Sequence, residues 1–157
     1  MSKKQSKGSD TLKLKGFARV QIEDSNGKIV GDSGWQRNQV VDLGFQDYIC
    51  AAIGAVGGSK QISNMGIGTG TVPAAAATSL AGETGKRVTS SNSVSSSKTL
   101  QMTCQFAGAD MGGTCTIQNV GLFNTSSGGT LCAGITYATS QWASNQNVNA
   151  TYQLRFS

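Results

Sequence analysis

The sequence predicts a single-domain, mainly β protein: a β-sandwich or jelly-roll-like fold with one short helix and a flexible N-terminal arm. Three observations support this prediction. Only 13% of the 157 residues are charged, about half the usual share, whereas helices of soluble proteins normally carry charged outer faces. Several segments alternate apolar and polar residues, which is the pattern of a half-buried strand. The chain also contains 21 glycines, which can supply turns between short strands.

Residues 1–15, MSKKQSKGSDTLKLK, form the predicted arm, and residues 16–157 form the predicted β-rich domain. The arm holds five lysines and one aspartate, so most of the net charge of +5 lies there. A basic tail with Ser and Gly is typical of a solvated, disordered arm. The alternative is an arm that orders on an acidic neighbour or on nucleic acid. Because the arm has no aromatic residue for base stacking, we expect no specific nucleic-acid recognition.

The first half of the domain is predicted to hold a hairpin followed by the helix. Apolar residues on even numbers predict a strand from Leu12 to Ile22, with Gly16 as a candidate bulge. The Asn-Gly pair in SNGK, residues 25–28, favours a tight turn into a second, irregular strand. Beyond Asp42, a candidate N-cap, apolar residues at helical spacing predict a helix over about 42–56. Its polar side is nearly uncharged, so we expect it to be covered on more than one side.

The remaining chain is predicted to be strands and turns, giving about seven or eight strands in total. QISNMGIG, residues 61–68, is typical of a short apolar strand, and AAAATSL of a single helical turn. Residues 86–99 are polar and fit either an edge strand or a loop. Clear alternation marks residues 100–106 and the final strand through 156, whereas TCTIQNVGLFN changes phase near Val120.

The stretch GIGTGT, residues 66–71, invites comparison with a phosphate-binding loop. A dinucleotide fingerprint requires G-x-G-x-x-G leading into a helix, but here the spacing is G-x-G-x-G and Pro73 follows. A P-loop requires Lys-Ser/Thr after its last glycine, and that pair is absent. The glycines instead predict close backbone approach, or positive φ, beside a packed strand.

No other motif points to catalysis, a metal or a cofactor, and we predict that the chain is not an enzyme. It has no histidine, which excludes histidine-based triads. The few carboxylates lie in turns, caps or strand ends and mark no acid–base pair. Four separated cysteines lack zinc-site spacing. Cys104 shares the phase of the apolar residues of its strand and is expected to be a buried free thiol, although a Cys104–Cys115 hairpin disulfide is geometrically conceivable. The cysteines are Cys50, Cys104, Cys115 and Cys132.

Basic and aromatic residues are the candidates for an interface with other proteins. An exposed tryptophan is a good interface anchor, and Trp142 lies in the polar segment SQWASNQN; alternatively, it covers one end of the core. The candidate interface residues are Lys3, Lys4, Lys7, Lys13, Trp35, Arg37 and Trp142. No secretory signal or membrane span is recognisable, so we expect a protein that is made and kept in a cytosol until it is assembled, without membrane contact.

Three segments, in order, carry a resemblance to a protein family. They are IEDSNGKIVGDSGWQRNQVVDLGFQDYICAAI, MGIGTGTVPAAAATSLAGET and TIQNVGLFNTSSGGTLCAGITY. This order resembles small virion proteins of tailed bacteriophages, over about residues 17–137. The chain departs from the pattern at Gln118-Asn119, where an acidic residue is usual, and in its lysine-rich arm. The resemblance implies a β-rich structural subunit located in the virion.

Within that family the leading hypothesis is a capsid decoration (cement) protein that bridges capsid subunits as a homo-oligomer. The expected partners are the major capsid protein or other virion subunits. One alternative is a tail-tube, tail-tip or fibre-attachment subunit. A more remote alternative is a carbohydrate-binding β-sandwich module that uses Trp35, Tyr137 or Trp142 as a sugar platform.

Overall fold

A computed structural model describes residues 11–111 and 114–157 and shows two antiparallel β-sheets packed face to face. The mainly β prediction and the single short helix are confirmed. In chain order the strands are β1 (Leu14–Glu23), β2 (Ile29–Asp32), β3 (Gln36–Arg37), β4 (Gln39–Val40), β5 (Asn64–Gly68), β6 (Glu83–Thr89), β7 (Ser91–Ser96), β8 (Thr99–Phe106), β9 (Cys115–Phe123), β10 (Leu131–Trp142) and β11 (Asn147–Phe156). A 3₁₀ turn occupies Gly108–Met111. The strands outnumber the predicted seven or eight because residues 29–40 and 83–96 are each divided between short strands.

The first sheet has the order β2-β1-β11-β8-β7, with β3 also paired to β1, and the second sheet has the order β4-β10-β9-β5-β6. On each side of the sandwich the chain crosses directly between the sheets. Only Asn38 separates β3 from β4, and only Ser90 separates β6 from β7. These crossings place continuous backbone along both sides of the core. Residues 86–99 are therefore edge strands rather than a loop.

Gly16 does not form the predicted bulge. It pairs in regular register with Leu154, and the register shift falls instead between Ile22 and Glu23. The Gly16 carbonyl accepts a 3.0 Å hydrogen bond from the Asn38 N–H. A Cβ on Gly16 would lie 1.9 Å from the Asn38 side chain, so this glycine makes room for the crossing between the sheets.

Alternating apolar residues from both sheets form the core, as the sequence predicts for β1, β8 and β11. Along β11 every even residue from Val148 to Leu154 is buried. The predicted phase change in β9 is confirmed, because Ile117 and Val120 both belong to the core cluster. The 25–28 turn is confirmed as well, with Gly27 at a φ of 79°.

The helix begins at residue 42, runs as a π-helical segment over Gly44–Cys50 and ends in the α-helical turn α1 (Ala51–Ile53). The expectation that it is covered on more than one side is wrong: Phe45 is 43% and Ile53 78% exposed. Only Gly44 and Tyr48 are buried within the π-helical segment. A Cβ on Gly44 would lie 2.1 Å from the Cys132 carbonyl oxygen, so the helix contacts β10 along one narrow stripe.

Candidate interaction surfaces

The glycine stretch lies in β5 and the loop after it, and its backbone packs against neighbouring chain. β5 is buried along its whole length between β9 and β6. A Cβ on Gly68 would lie 2.7 Å from the Gly82 carbonyl oxygen, and a Cβ on Gly70 would lie 2.5 Å from that of Ala81. Neither glycine has positive φ. Of the two structural reasons predicted for these glycines, close approach is the one that applies.

Residues 69–82 form a loop that folds back over the outer face of the second sheet, which we call the covered face. Leu80 packs there with Val41, Phe123 and Leu131 in a second apolar cluster. Pro73 lies against Gly134, where a Cβ would come within 2.8 Å of the proline ring. The segment AAAATSL makes a single hydrogen-bonded turn rather than the predicted helical turn. The loop therefore gives this sheet a second apolar layer.

Asn119 fastens that loop from the middle of β9. Its side chain is fully buried, and its Nδ2 donates hydrogen bonds to the carbonyl oxygens of Ala81 at 2.8 Å and Thr71 at 3.4 Å. Its Oδ1 has no hydrogen-bond partner among the described residues. A buried amide that bonds two loop carbonyls fixes the loop in one position.

The outer face of the first sheet is not covered in this way, and we call it the amide face. Odd-numbered residues of β1, β8 and β11 point to it, because the even-numbered ones fill the core. Cross-strand pairing arranges them in rows such as Gln21–Asn149–Gln105. The amide face consists of Lys15, Phe17, Arg19, Gln21, Glu23, Thr99, Gln101, Thr103, Gln105, Asn147, Asn149, Thr151, Gln153 and Arg155.

Hydrogen bonds between side chains join neighbouring strands across the amide face. Gln105 donates to Asn149 at 2.8 Å, and Asn149 donates to Glu23 at 2.6 Å. Gln153 likewise donates to Gln101 at 2.8 Å. Cross-strand pairs of this kind stabilise a sheet and restrict its side chains. The result is a polar surface on which several amide groups are held in fixed orientations.

One carboxylate at the edge of this face is already neutralised. Asp32 of β2 accepts hydrogen bonds from Arg19 and from Gln21. Hydrogen bonding by the Arg19 guanidinium holds the pKa of Asp32 well below its usual range. The ion pair keeps both charges engaged with each other.

At the end of the amide face where β1 begins, basic residues gather; we call Lys13, Lys15, Arg37 and Arg155 the basic end. Lys15 pairs directly with Arg155, and Arg37 pairs with Phe17 beside them. Lys13 exchanges backbone hydrogen bonds with Ser157. All four are exposed. The structure therefore brings two predicted interface residues, Lys13 and Arg37, together with two that sequence reasoning missed.

The missed residues, Lys15 and Arg155, carry a weak sequence signal. Each occupies the polar phase of an alternating strand, so its exposure could have been predicted. Their proximity depends on the pairing of β1 with β11, and the chain between those strands gives no indication of that pairing. The predicted interface residues Lys3, Lys4 and Lys7 lie outside the described residues.

The two tryptophans have opposite environments. Trp35 is 45% exposed, in agreement with an interface role, but Trp142 is 1% exposed. Trp142 donates its indole N–H to the Gln146 carbonyl at 2.8 Å and packs edge-on against Phe106. The prediction that Trp142 is an exposed anchor is wrong. The polar segment around it supplies the Gln146 carbonyl as a hydrogen-bond acceptor, and the indole ring covers one end of the core. Tyr137 is also buried, so the predicted sugar platform retains only Trp35.

A cleft of about 280 Å³ opens between the sheets beside the helix. Its lining is mainly apolar and includes Ile62, Leu100 and Phe156. The polar groups near it are occupied: the Lys60 ammonium pairs with Asp47, and the Tyr48 hydroxyl donates to the Thr130 carbonyl. These two titratable side chains of the lining are therefore already paired with other groups of the protein.

All four cysteines are free, so the conceivable Cys104–Cys115 disulfide does not form. Burial raises the pKa of the Cys104 and Cys132 thiols to about 12. Within residues 11–111 and 114–157, no three His, Cys, Asp or Glu side chains gather as metal ligands would. The same described residues include no helix with the length and apolar character to cross a bilayer.

Comparisons with protein-family models, with curated proteins and with solved structures find no match to this chain.

Proposed function

We propose that this chain is a non-enzymatic virion structural protein of a tailed bacteriophage, and specifically a capsid decoration protein that bridges capsid subunits. The observation that carries the proposal is the amide face. Interface cores between proteins are depleted in charged residues, and this face presents many Gln, Asn and Thr side chains, of which several amides are already fixed by cross-strand hydrogen bonds. Ordering such side chains on binding costs little additional entropy.

The contrast between the sheets supports docking through the amide face. The second sheet already has a partner, since the loop over residues 69–82 packs on its outer side. The first sheet presents an equally extended surface without such a layer from the described chain. A neighbouring virion subunit seated on the amide face would supply it. Burying further interface between capsid subunits stabilises a shell by mass action.

The order of the three resembling segments supports a virion role and also fits a tail-tube, tail-tip or fibre-attachment subunit. Copy number separates the two roles. A decoration protein is present at a copy number comparable to that of the major capsid protein, whereas a tail or fibre subunit is present at a small fraction of it. The non-enzymatic assignment is supported by the absence of histidine from the sequence and by the engaged polar groups of the cleft.

The test is to quantify the chain in purified particles of the phage that encodes it, relative to the major capsid protein, and to locate it by electron microscopy. We expect it on the outer capsid at high copy number, and we expect particles lacking it to lose their contents at lower temperature. Absence from the particle would refute the virion assignment. A tail location would replace decoration by the alternative, and unchanged heat resistance of capsids without the chain would refute the stabilising role.

A matched pair of variants tests whether the amide face is the docking surface. Thr103→Glu places a charge in the centre of that face, next to Thr151 in register. Ser127→Glu places the same charge on an exposed loop remote from it. We expect both variants to fold and only Thr103→Glu to lose rebinding to stripped particles. Equal rebinding by the two variants would show that another surface docks.

A further inference from the structure

The basic end has a net positive charge that the described chain does not neutralise. None of Lys13, Lys15, Arg37 and Arg155 forms an ion pair with a carboxylate of residues 11–111 or 114–157; the four ion pairs found there all involve other residues. The arm residues that precede the basic end in sequence add further lysines. Positive charge is therefore concentrated at one end of an otherwise nearly neutral face.

Arg155 is held in place before any ligand arrives. Its guanidinium donates through Nε and Nη2 to the Gln153 Oε1, at 3.0 and 2.6 Å. Its Cζ also lies 4.6 Å from the centre of the Phe17 ring, a cation–π arrangement. Gln153 is itself bonded to Gln101. A guanidinium restrained on two sides loses less entropy when it binds an anion.

The pairing of Lys15 with Arg155 is unfavourable in the isolated chain. These two residues lie directly opposite each other on neighbouring strands, and like charges in that position destabilise a sheet. Another arginine on the same pair of strands has an uncharged residue opposite it: Arg19 faces Thr151. An anion placed between the two cations would turn this repulsion into attraction.

We propose that the basic end is a binding site for clustered carboxylates on the surface of a neighbouring protein subunit. This inference deepens the proposed function, on which it rests for the identity of that neighbour. Bidentate pairing of Arg with carboxylate supplies strong, directional hydrogen bonds, and two arginines and two lysines converge here. The site would orient the amide face on its partner by charge complementarity.

Two features favour carboxylates of a protein over a nucleic acid. Sites for single-stranded nucleic acid follow the backbone along a positively charged groove and stack bases on aromatic rings. Here the four cations of the basic end lie at one end of the face, and the rows beyond it present mainly amides and hydroxyls, with Arg19 already paired to Asp32. Phe17 is the one aromatic side chain among the residues of the amide face, and its ring is already in contact with the Arg155 guanidinium.

The experiment measures binding of the full chain to a fluorescent oligoglutamate peptide by anisotropy, at low and at physiological salt. An oligothymidylate of equal charge is the second probe. The matched variants are Lys15→Gln in the basic end and Lys28→Gln in the hairpin turn at the other end of β1, where the lysine is equally exposed. Arg155→Gln is the third variant. All variants retain Lys3, Lys4 and Lys7, so differences between them isolate the basic end.

We expect oligoglutamate to bind in a salt-dependent manner and more tightly than oligothymidylate. Arg155→Gln should weaken binding about tenfold, as expected for loss of a charge-assisted contact, Lys15→Gln by a smaller factor, and Lys28→Gln by less than about twofold. Tighter binding of oligothymidylate would assign the site to nucleic acid and overturn the proposal. Equal weakening by both lysine variants, or no binding of oligoglutamate, would also overturn it.

Failure of this inference and failure of the proposed function are distinguishable. The binding assay contains no particle, so a chain absent from virions can still bind oligoglutamate through the basic end. Conversely, a chain found on the capsid whose variants bind oligoglutamate alike would keep its virion role and lose this site. Circular dichroism of each variant checks that the sandwich is intact.

Discussion

The outer faces of the two sheets differ in how they are completed. The covered face has an internal apolar layer, in which Leu80 packs on Phe123 and Leu131. The amide face keeps polar residues joined by cross-strand hydrogen bonds, such as Gln153 to Gln101. The same chain therefore covers the outer face of one sheet with its own loop, whereas no described segment covers the outer face of the other. From this difference we expect substitutions in the apolar layer to lower the stability of the domain more than substitutions on the amide face.

The largest decrease in the free energy of unfolding is expected from a substitution where the loop over residues 69–82 packs on the second sheet. Leu80→Ala removes a side chain that is 4% exposed, and buried Leu→Ala changes cost about 2–5 kcal/mol. Denaturant titration of the purified chain measures the change in the free energy of unfolding. The control is Val94→Ala on β7, where the side chain is 75% exposed and the expected change is within about 0.5 kcal/mol. Equal effects would show that the loop does not form an apolar layer.

A smaller decrease in the free energy of unfolding is expected when the hydrogen bonds that hold the loop on the second sheet are removed. Asn119→Ala removes the donor to the Thr71 carbonyl and leaves the Ala81 carbonyl with the Gly70 N–H as its remaining donor, and it should cost about 1–3 kcal/mol. Faster amide exchange of Thr69 and Gly70, whose N–H groups bond to Gly82 and Ala81, would locate the effect in the loop. The control is Gln101→Ala, which removes a hydrogen-bonded side-chain amide on the solvent-facing amide face. If it lowers the free energy of unfolding as much as Asn119→Ala does, the two faces do not differ in their contribution to stability.

On their inner faces the two sheets should desolvate buried groups to a similar extent, and the pKa values of two thiols test this expectation. Cys104 lies on the first sheet and Cys132 on the second, and burial raises the pKa of each to about 12. In the unfolded chain a thiol has a pKa of about 8.5. Above that pH the unfolded state loses a proton that the native state retains, so the free energy of unfolding falls as pH rises toward 12.

The expected loss is on the order of 1 kcal/mol for each thiol at one pH unit above the unfolded pKa. Denaturant titrations at several alkaline pH values measure it in the parent chain and in Cys104→Ala and Cys132→Ala. Each variant should show a shallower decline than the parent, and the two should be similar. A flattening confined to one variant would show that the inner faces of the sheets differ in burial.

Sequence reasoning recovered the regular parts of this architecture and missed the parts that depend on distant contacts. Alternation was sufficient for β11, because its period directly reports one buried face. The covering loop was missed because its apolar residues, Pro73 and Leu80, are separated by alanines and have no period. Trp142 was misplaced because local polarity does not show that its indole N–H meets the Gln146 carbonyl.

The candidate surface was predictable in composition but not in shape. The sequence analysis named basic and aromatic residues as interface candidates, Lys13 and Arg37 among them. Their position beside Arg155 follows from the pairing of β1 with both β3 and β11. Such pairing depends on register over long sequence separations, which single-sequence periodicity does not specify.

The smallest predicted change in stability is a gain, from Lys15→Glu, and the same substitution should weaken binding. Lys15→Glu replaces a repulsive cross-strand pair with an attractive one, since Arg155 lies directly opposite, and should raise the free energy of unfolding by about 0.2–1 kcal/mol. The same change should abolish oligoglutamate binding, because the new carboxylate occupies Arg155 and repels the peptide. High salt should diminish the gain in stability.

If the variant is instead less stable, or binds oligoglutamate as well as the parent, Lys15 and Arg155 do not act as one site. If it is more stable and no longer binds, the amide face retains a locally unfavourable charge pair that serves recognition, whereas the covered face is built for stability.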